Sequence, residues 1–244
     1  MIRDYLNSLI QSLKNSYYTG ALLLVCLIIA LIFAIKYYRK EKVNNFFIIY
    51  ILYTFLLSDV VFQLFKFLFP LKGNDATFFL EVLNIVFAQI EFIVFSYFFK
   101  IIIENKYFKN AIPIVQIIFS ILFFSLIIRI FFWEIEIKTL REFSYYFNAI
   151  EFFIFLPFCL FYFYELLTKQ LASITYLTKS PSFWIITGLF FYVIVSLPFL
   201  IIGNSLFINN KILYSISGSI HYISFSFFLI CLTKAFACKT SLTQ

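Results

Sequence analysis

Phe79-Leu80-Glu81-Val82-Leu83-Asn84-Ile85-Val86-Phe87-Ala88-Gln89-Ile90-Glu91 is the stretch on which the fold turns. It lies in an apolar run long enough to cross a bilayer, yet it carries two carboxylates and two amides. At about 100° per residue, Glu81, Asn84, Ala88 and Glu91 share one narrow helix face. A charge near the bilayer centre costs roughly 2.5–3.5 kcal/mol on insertion scales, so that face must look at protein or trapped water rather than lipid. The rest of the chain has to supply what the face looks at.

Composition agrees. Of 244 residues, 63% are hydrophobic and only 13% charged, with a mean hydropathy of +0.97. An average soluble domain carries about 25% charged residues, so this composition predicts an integral membrane protein. Five Gly and five Pro leave no linker-rich region, which predicts one compact transmembrane domain. The 38 Phe are attributed to base composition before any functional need. The formal charge of +7 is no nucleic-acid signal, because Lys and Arg lie mostly between apolar runs, where they set topology. Cys26, Cys159 and Cys231 fall inside apolar runs, Cys238 lies just past the last one, and none sits in a C-x-x-C or other metal-ligand spacing, so neither a structural disulfide nor a metal site is expected; no cofactor is expected either. No cleavable signal peptide is expected at the start.

The fold class expected is all-α, a polytopic transmembrane helix bundle of seven spans, with six or eight as alternatives. Residues 1–16 read as an amphipathic surface segment, from the rhythm of Ile2, Tyr5, Leu6, Leu9, Ile10 and Leu13, or else as a frayed tail. Residues 17–238 hold the seven helices and 239–244 a cytoplasmic tail. The spans run from about Tyr17 to Tyr38, Phe46 to Phe69, Thr77 to Ile103, Ala111 to Phe132, Leu140 to Leu167, Pro181 to Ile202 and Ile212 to Ala237. Paired tyrosines flank the first span, which is featureless inside and is expected to face lipid. Pro70 ends the second, Pro157 interrupts the fifth and Pro198 kinks the sixth, which Ser180 and Pro181 begin. Eleven Lys and Arg follow spans one, three, five and seven, against eight on the other side. That bias, carried largely by Arg39, Lys40 and Lys42, puts the N-terminus outside and the C-terminus in the cytoplasm of a plasma (inner) membrane protein.

Four spans carry polar stripes at i, i+4, i+7: Asp59/Gln63/Lys66, Asn84/Ala88/Glu91, Ser144/Asn148/Glu151 and Ser217/His221/Ser224. Asp59, Glu91 and Glu151 fall near mid-membrane. Lys66, Glu81, Asn84, Arg129, Asn148 and His221 fall in the outer half. The candidate ligand-binding set is therefore Asp59, Gln63, Lys66, Asn84, Glu91, Arg129, Asn148, Glu151 and His221, around a cavity opening outwards. Three unpaired mid-membrane acids would cost on the order of 7–10 kcal/mol if charged, so they must be protonated, paired or hydrated. Lys66, Arg129 and His221 are the expected partners of Glu91 and Glu151. The plainer reading is interhelical glue, through hydrogen bonds averaging about 0.6 kcal/mol in membranes.

Lys179-Ser180-Pro181-Ser182-Phe183-Trp184-Ile185-Ile186-Thr187-Gly188-Leu189-Phe190-Phe191-Tyr192 resembles a recurring element of uncharacterised seven-helix integral membrane proteins of Bacteroidota-type bacteria. Gln89-Ile90-Glu91-Phe92 and the Phe/Tyr-rich end of the fifth span resemble that group as well. The group looks like stand-alone versions of membrane sensor regions paired with histidine kinases. The last span departs from it, with serines and a histidine where asparagines are more typical.

Seven helices, a polar pocket in the outer half and short basic cytoplasmic loops point to a sensor or receptor-like protein that signals through a partner: a histidine kinase or another cytoplasmic protein, with a second copy of the chain as a further candidate; the resemblance supports the fold and the membrane location. The sequence keeps two other classes open. One is a proton-coupled transporter or channel, for which mid-membrane acids are suitable parts although no internal repeat is visible. The other is a structural or assembly subunit. Catalysis is disfavoured, since one histidine without H-E-x-x-H builds no usual zinc site and no Ser/His pair stands out. A retinal-binding protein is disfavoured too, because the last span has no mid-helix lysine: Lys211 precedes it and Lys234 stands at its far end.

Overall fold

The computed structural model describes residues 21–36, 47–52, 54, 73–133, 135–168 and 178–238. Among the described residues, seven helical segments follow one another: α1 (Ala21–Lys36), α2 (47–52, helical again at 54), α3 (Gly73–Ile102), α4 (Lys106–Phe132), α5 (Ile137–Thr168), α6 (Pro181–Asn209) and α7 (Lys211–Ala237). No strand occurs among the described residues. Five of these helices, α3 to α7, are long and apolar enough to cross a membrane. The fold is an all-α helical bundle. The amphipathic segment 1–16, the tyrosine pairs at 17–18 and 37–38, the basic turn 39–42, Asp59, Gln63, Lys66, Pro70 and the tail 239–244 lie outside the described residues.

Short connections force neighbours to run antiparallel. α3 packs on α4 and α5, α5 on α6, and α6 on α7. Aromatic rings fill the centre. Phe92 of α3 stacks between Phe119 of α4 (4.1 Å) and Phe155 of α5 (5.4 Å), and Phe119 stacks on Phe147 of α5 (4.5 Å). Phe95, Phe98, Phe99, Phe155 and Phe228 are all completely buried. In lipid the hydrophobic effect between helices is weak, so close ring-on-ring contact is what holds them. The phenylalanines therefore carry the packing, whatever base composition contributed to their number.

Several local expectations shift. α4 begins at Lys106 rather than near Ala111, because the Asn105 side chain accepts from the Tyr107 and Phe108 amides (2.9 and 3.4 Å) and caps the helix early. The Glu165 carboxylate of α5 reaches the same turn and accepts from the amides of Glu104 (3.3 Å) and Asn105 (2.9 Å). α5 runs on through Pro157 and α6 through Pro198, and both prolines are exposed on the outside of the bundle. Ser180 stands at the N-cap position of α6, but its hydroxyl bonds Ser182 (2.9 Å) instead of capping. α6 continues past Ile202 to Asn209. Gly203 lets Tyr145 of α5 come close (an added Cβ would sit 2.9 Å from its Cε1), and Asn204 ties α6 to Glu142 (2.8 Å). α1 does not face lipid all round: Cys26, Leu27, Ala30 and Ala34 are buried, while Val25, Ile28, Ile29, Ile32 and Ile35 are exposed.

Candidate functional site

Helical phase decides what the acids see. Positions 81, 85, 88, 91 and 92 are buried on α3, and 144, 147, 151, 152 and 155 on α5, so the two buried stripes face each other. Glu91 and Glu151 sit near the middle of their spans, 1% and 0% exposed. They are close enough to interact electrostatically. The Glu91 carboxylate accepts a hydrogen bond from the Tyr50 hydroxyl of α2 (3.0 Å). Both Glu151 oxygens are buried without a hydrogen-bond partner among the described residues.

Aromatic rings enclose the pair. Tyr50 stacks on Phe87 (5.5 Å) and meets Phe95, Phe225 and Phe228 edge-on. Tyr192 of α6 lies edge-on to Phe152 (5.0 Å) and over Phe225 (4.9 Å), within electrostatic reach of both acids. His221 of α7 packs between Tyr192 and Phe199, each 5.5 Å away, with its Nδ1 buried and unpartnered. One turn on, Ser224 bonds Ser196 of α6 (3.0 Å) and the His221 carbonyl (2.8 Å). The centre thus joins two carboxyls, two phenols and an imidazole from five helices.

At the end of the bundle where α3 and α5 begin, a second polar layer closes it. Arg141 Nε meets Glu81 Oε1 at 3.2 Å, and its guanidinium lies 4.2 Å over the Phe207 ring. Tyr145 and Tyr214 share a hydrogen bond (2.9 Å) linking α5 to α7. Towards α4, the Gln89 amide donates to Ser120 (3.0 Å).

Of the sequence-derived set, the structure brings Glu91 and Glu151 together, with His221 beyond Tyr192. Asn84 and Asn148 are half-buried on the same stripes, and Asn148 donates to its own helix at the Ser144 carbonyl (2.7 Å). Arg129 is not with them and is no partner of either acid. It is exposed at the end of α4 with its guanidinium 4.7 Å over Phe143. Nor is His221 hydrogen-bonded to an acid: its ring meets Tyr192, Phe199 and Tyr222. Asp59, Gln63 and Lys66 lie outside the described residues.

Tyr50, Tyr192, Glu142 and Arg141 were not singled out from sequence. A signal for the tyrosines existed. Interfacial tyrosines sit at span ends, whereas a tyrosine well inside a span must find a partner for its hydroxyl.

Helices of this length and apolarity, bonded through their polar side chains from within, define a multi-pass α-helical membrane protein. No protein-family model, no curated protein and no solved structure matches the chain.

Proposed function

We propose that this chain is a receptor-like membrane sensor whose ligand is a small cationic solute held by Glu91 and Glu151, and that it signals through a partner protein. The observation that carries the reading is Glu151. A carboxyl with neither oxygen partnered among the described residues, in the middle of a membrane protein and facing a second acid, is costly to keep. An ammonium group would satisfy both acids, and the surrounding ring faces add cation–π attraction. The rings also seal the site, so entry of a ligand requires α2, α6 or α7 to move. Binding is thereby tied to a change of helix packing, which is what a partner can read. With the orientation that the Lys/Arg bias favours, that partner, a histidine kinase or another cytoplasmic protein, would meet the end of the bundle that includes Glu165 and Lys234.

Proton-coupled transport is the second reading, favoured by the same unpartnered mid-depth acid with His221 nearby. Calorimetry on the protein in nanodiscs, titrated with ethylammonium and tetramethylammonium, tests the first reading. Saturable heat lost in Glu151→Gln supports it, and no heat with either probe refutes it. Proteoliposomes loaded with a pH dye test the second: proton flux driven by a tetramethylammonium gradient, a cation with no proton to lose, and absent from protein-free liposomes, would replace the sensor reading by transport.

A further inference from the structure

The region around Arg129 is a separate site. A groove of about 920 Å³ runs along the outside of the bundle where the end of α4 meets the start of α5. Ile121, Phe124 and Ile128 form its apolar wall, and Arg129, Trp133 and Glu136 stand at its mouth. α4 lies at the edge of the bundle. Only 11% of its apolar window is buried, against 33–44% for the other four long helices. In a bilayer the wall therefore meets acyl chains, while Arg129 in the last turn and Trp133 just past it stand at head-group level.

Among the described residues that line it, the groove carries one charge of each sign. The Arg129 guanidinium rests on Phe143, with no carboxylate partner among the described residues. Glu136 is exposed beside it and forms no ion pair with it. Ser125 and Thr139 add hydroxyls to the lining, about one turn along their helices from Arg129 and Glu136. A guanidinium binds phosphate through paired N–H donors, and a carboxylate binds a primary ammonium through charge-assisted hydrogen bonds.

We propose that this groove binds a zwitterionic aminophospholipid, phosphatidylethanolamine, with its phosphate on Arg129, its ammonium on Glu136 and one acyl chain along Ile121, Phe124 and Ile128. The charge pair distinguishes this lipid from its neighbours. Phosphatidylglycerol has the phosphate without the ammonium, and phosphatidylcholine has a quaternary head with no hydrogen to donate. The site is independent of the Glu91–Glu151 pair, so each proposal stands or falls alone.

The test is native mass spectrometry of the full chain released from detergent, with equimolar phosphatidylethanolamine, phosphatidylglycerol and phosphatidylcholine. The wild type should retain phosphatidylethanolamine preferentially. Arg129→Gln should lower its occupancy about tenfold, the usual effect of losing one charge-assisted hydrogen-bonding partner. Glu136→Gln should shift preference towards phosphatidylglycerol, and Ser125→Phe, which fills the groove, should displace all three. Lys138→Gln, exposed beside the groove but not lining it, should change nothing. All these positions except half-buried Thr139 are exposed, so folding should survive, and circular dichroism confirms it. Equal retention of the three lipids by the wild type, or an unchanged preference in both Arg129→Gln and Glu136→Gln, would overturn the proposal.

Discussion

Replacing Glu151 by methionine should make the protein more stable. The side chain is completely buried, and neither carboxyl oxygen has a hydrogen-bond partner among the described residues. Methionine has nearly the same length, bends to fit irregular space, and has no polar group to leave unsatisfied. Removing one orphaned buried polar group is worth about 1–3 kcal/mol, and removing an acid from mid-membrane about 2.5–3.5 kcal/mol on insertion scales. Imperfect fit of the thioether among Phe152, Phe155 and Tyr192 offsets part of that, leaving a gain of about 1–3 kcal/mol. For a chain of this size each kcal/mol moves Tm by about 2–4 °C, so the variant should melt about 2–12 °C higher. The assay is thermal unfolding in detergent followed by circular dichroism at 222 nm. A variant that melts several degrees below the wild type would refute the reasoning, because breaking a satisfied buried pair typically costs about 3–5 kcal/mol. Glu151 would then be structural glue. A more stable variant would show that the acid is retained against stability, the pattern expected of a functional group.

Other outcomes follow from the same geometry. Tyr50→Phe removes the donor to Glu91 and should destabilise by about 0.6–2 kcal/mol, measured by the same melts; a double-mutant cycle with Glu91→Met isolates the pair. Gly188→Ala puts a Cβ 2.7 Å from Cys231 Cβ and 3.2 Å from the Phe228 Cα, so it should push α6 off α7 at a cost of about 1–3 kcal/mol. Gly218→Ala, with its nearest neighbour at 3.9 Å, should be neutral or slightly stabilising. Cys238 is the one cysteine that is not buried, and it lies just past α7. Partial burial pushes its thiol up, with Lys234 opposing. Its labelling by an impermeant maleimide should therefore be slow at neutral pH and accelerate as the pH is raised, as thiolate forms. With the orientation inferred from Lys and Arg, labelling should occur in inverted vesicles and not in intact cells; the reverse pattern would flip the topology.

Much of the architecture was legible because membrane helices obey a hard rule: every backbone polar group is satisfied inside the segment, so long apolar runs can only be helices. The i, i+4, i+7 spacing is enough to put Glu91 and Glu151 on buried faces. What periodicity does not encode is which neighbour a face meets. Arg129 shares the depth of the other polar residues, but α4 presents it outward, and depth alone could not reveal that. Pro157 does not end its helix: Pro157 and Pro198 are both exposed on the outside of the bundle, where a missing amide disturbs no interhelical contact, and α5 and α6 continue through them. Tyr50 and Tyr192 were hidden in a chain with 38 Phe and 17 Tyr, where one more ring attracts no notice until its hydroxyl is seen to face an acid.

Infrared difference spectroscopy on the protein in nanodiscs, before and after addition of ethylammonium, tests the central claim most directly, since carboxyl bands report the groups said to hold the ligand. The account predicts a change in the carboxyl region that is reduced in Glu91→Gln and absent in the Glu91→Gln, Glu151→Gln double variant. A spectrum with no carboxyl change, or one that persists undiminished in the double variant, would contradict it.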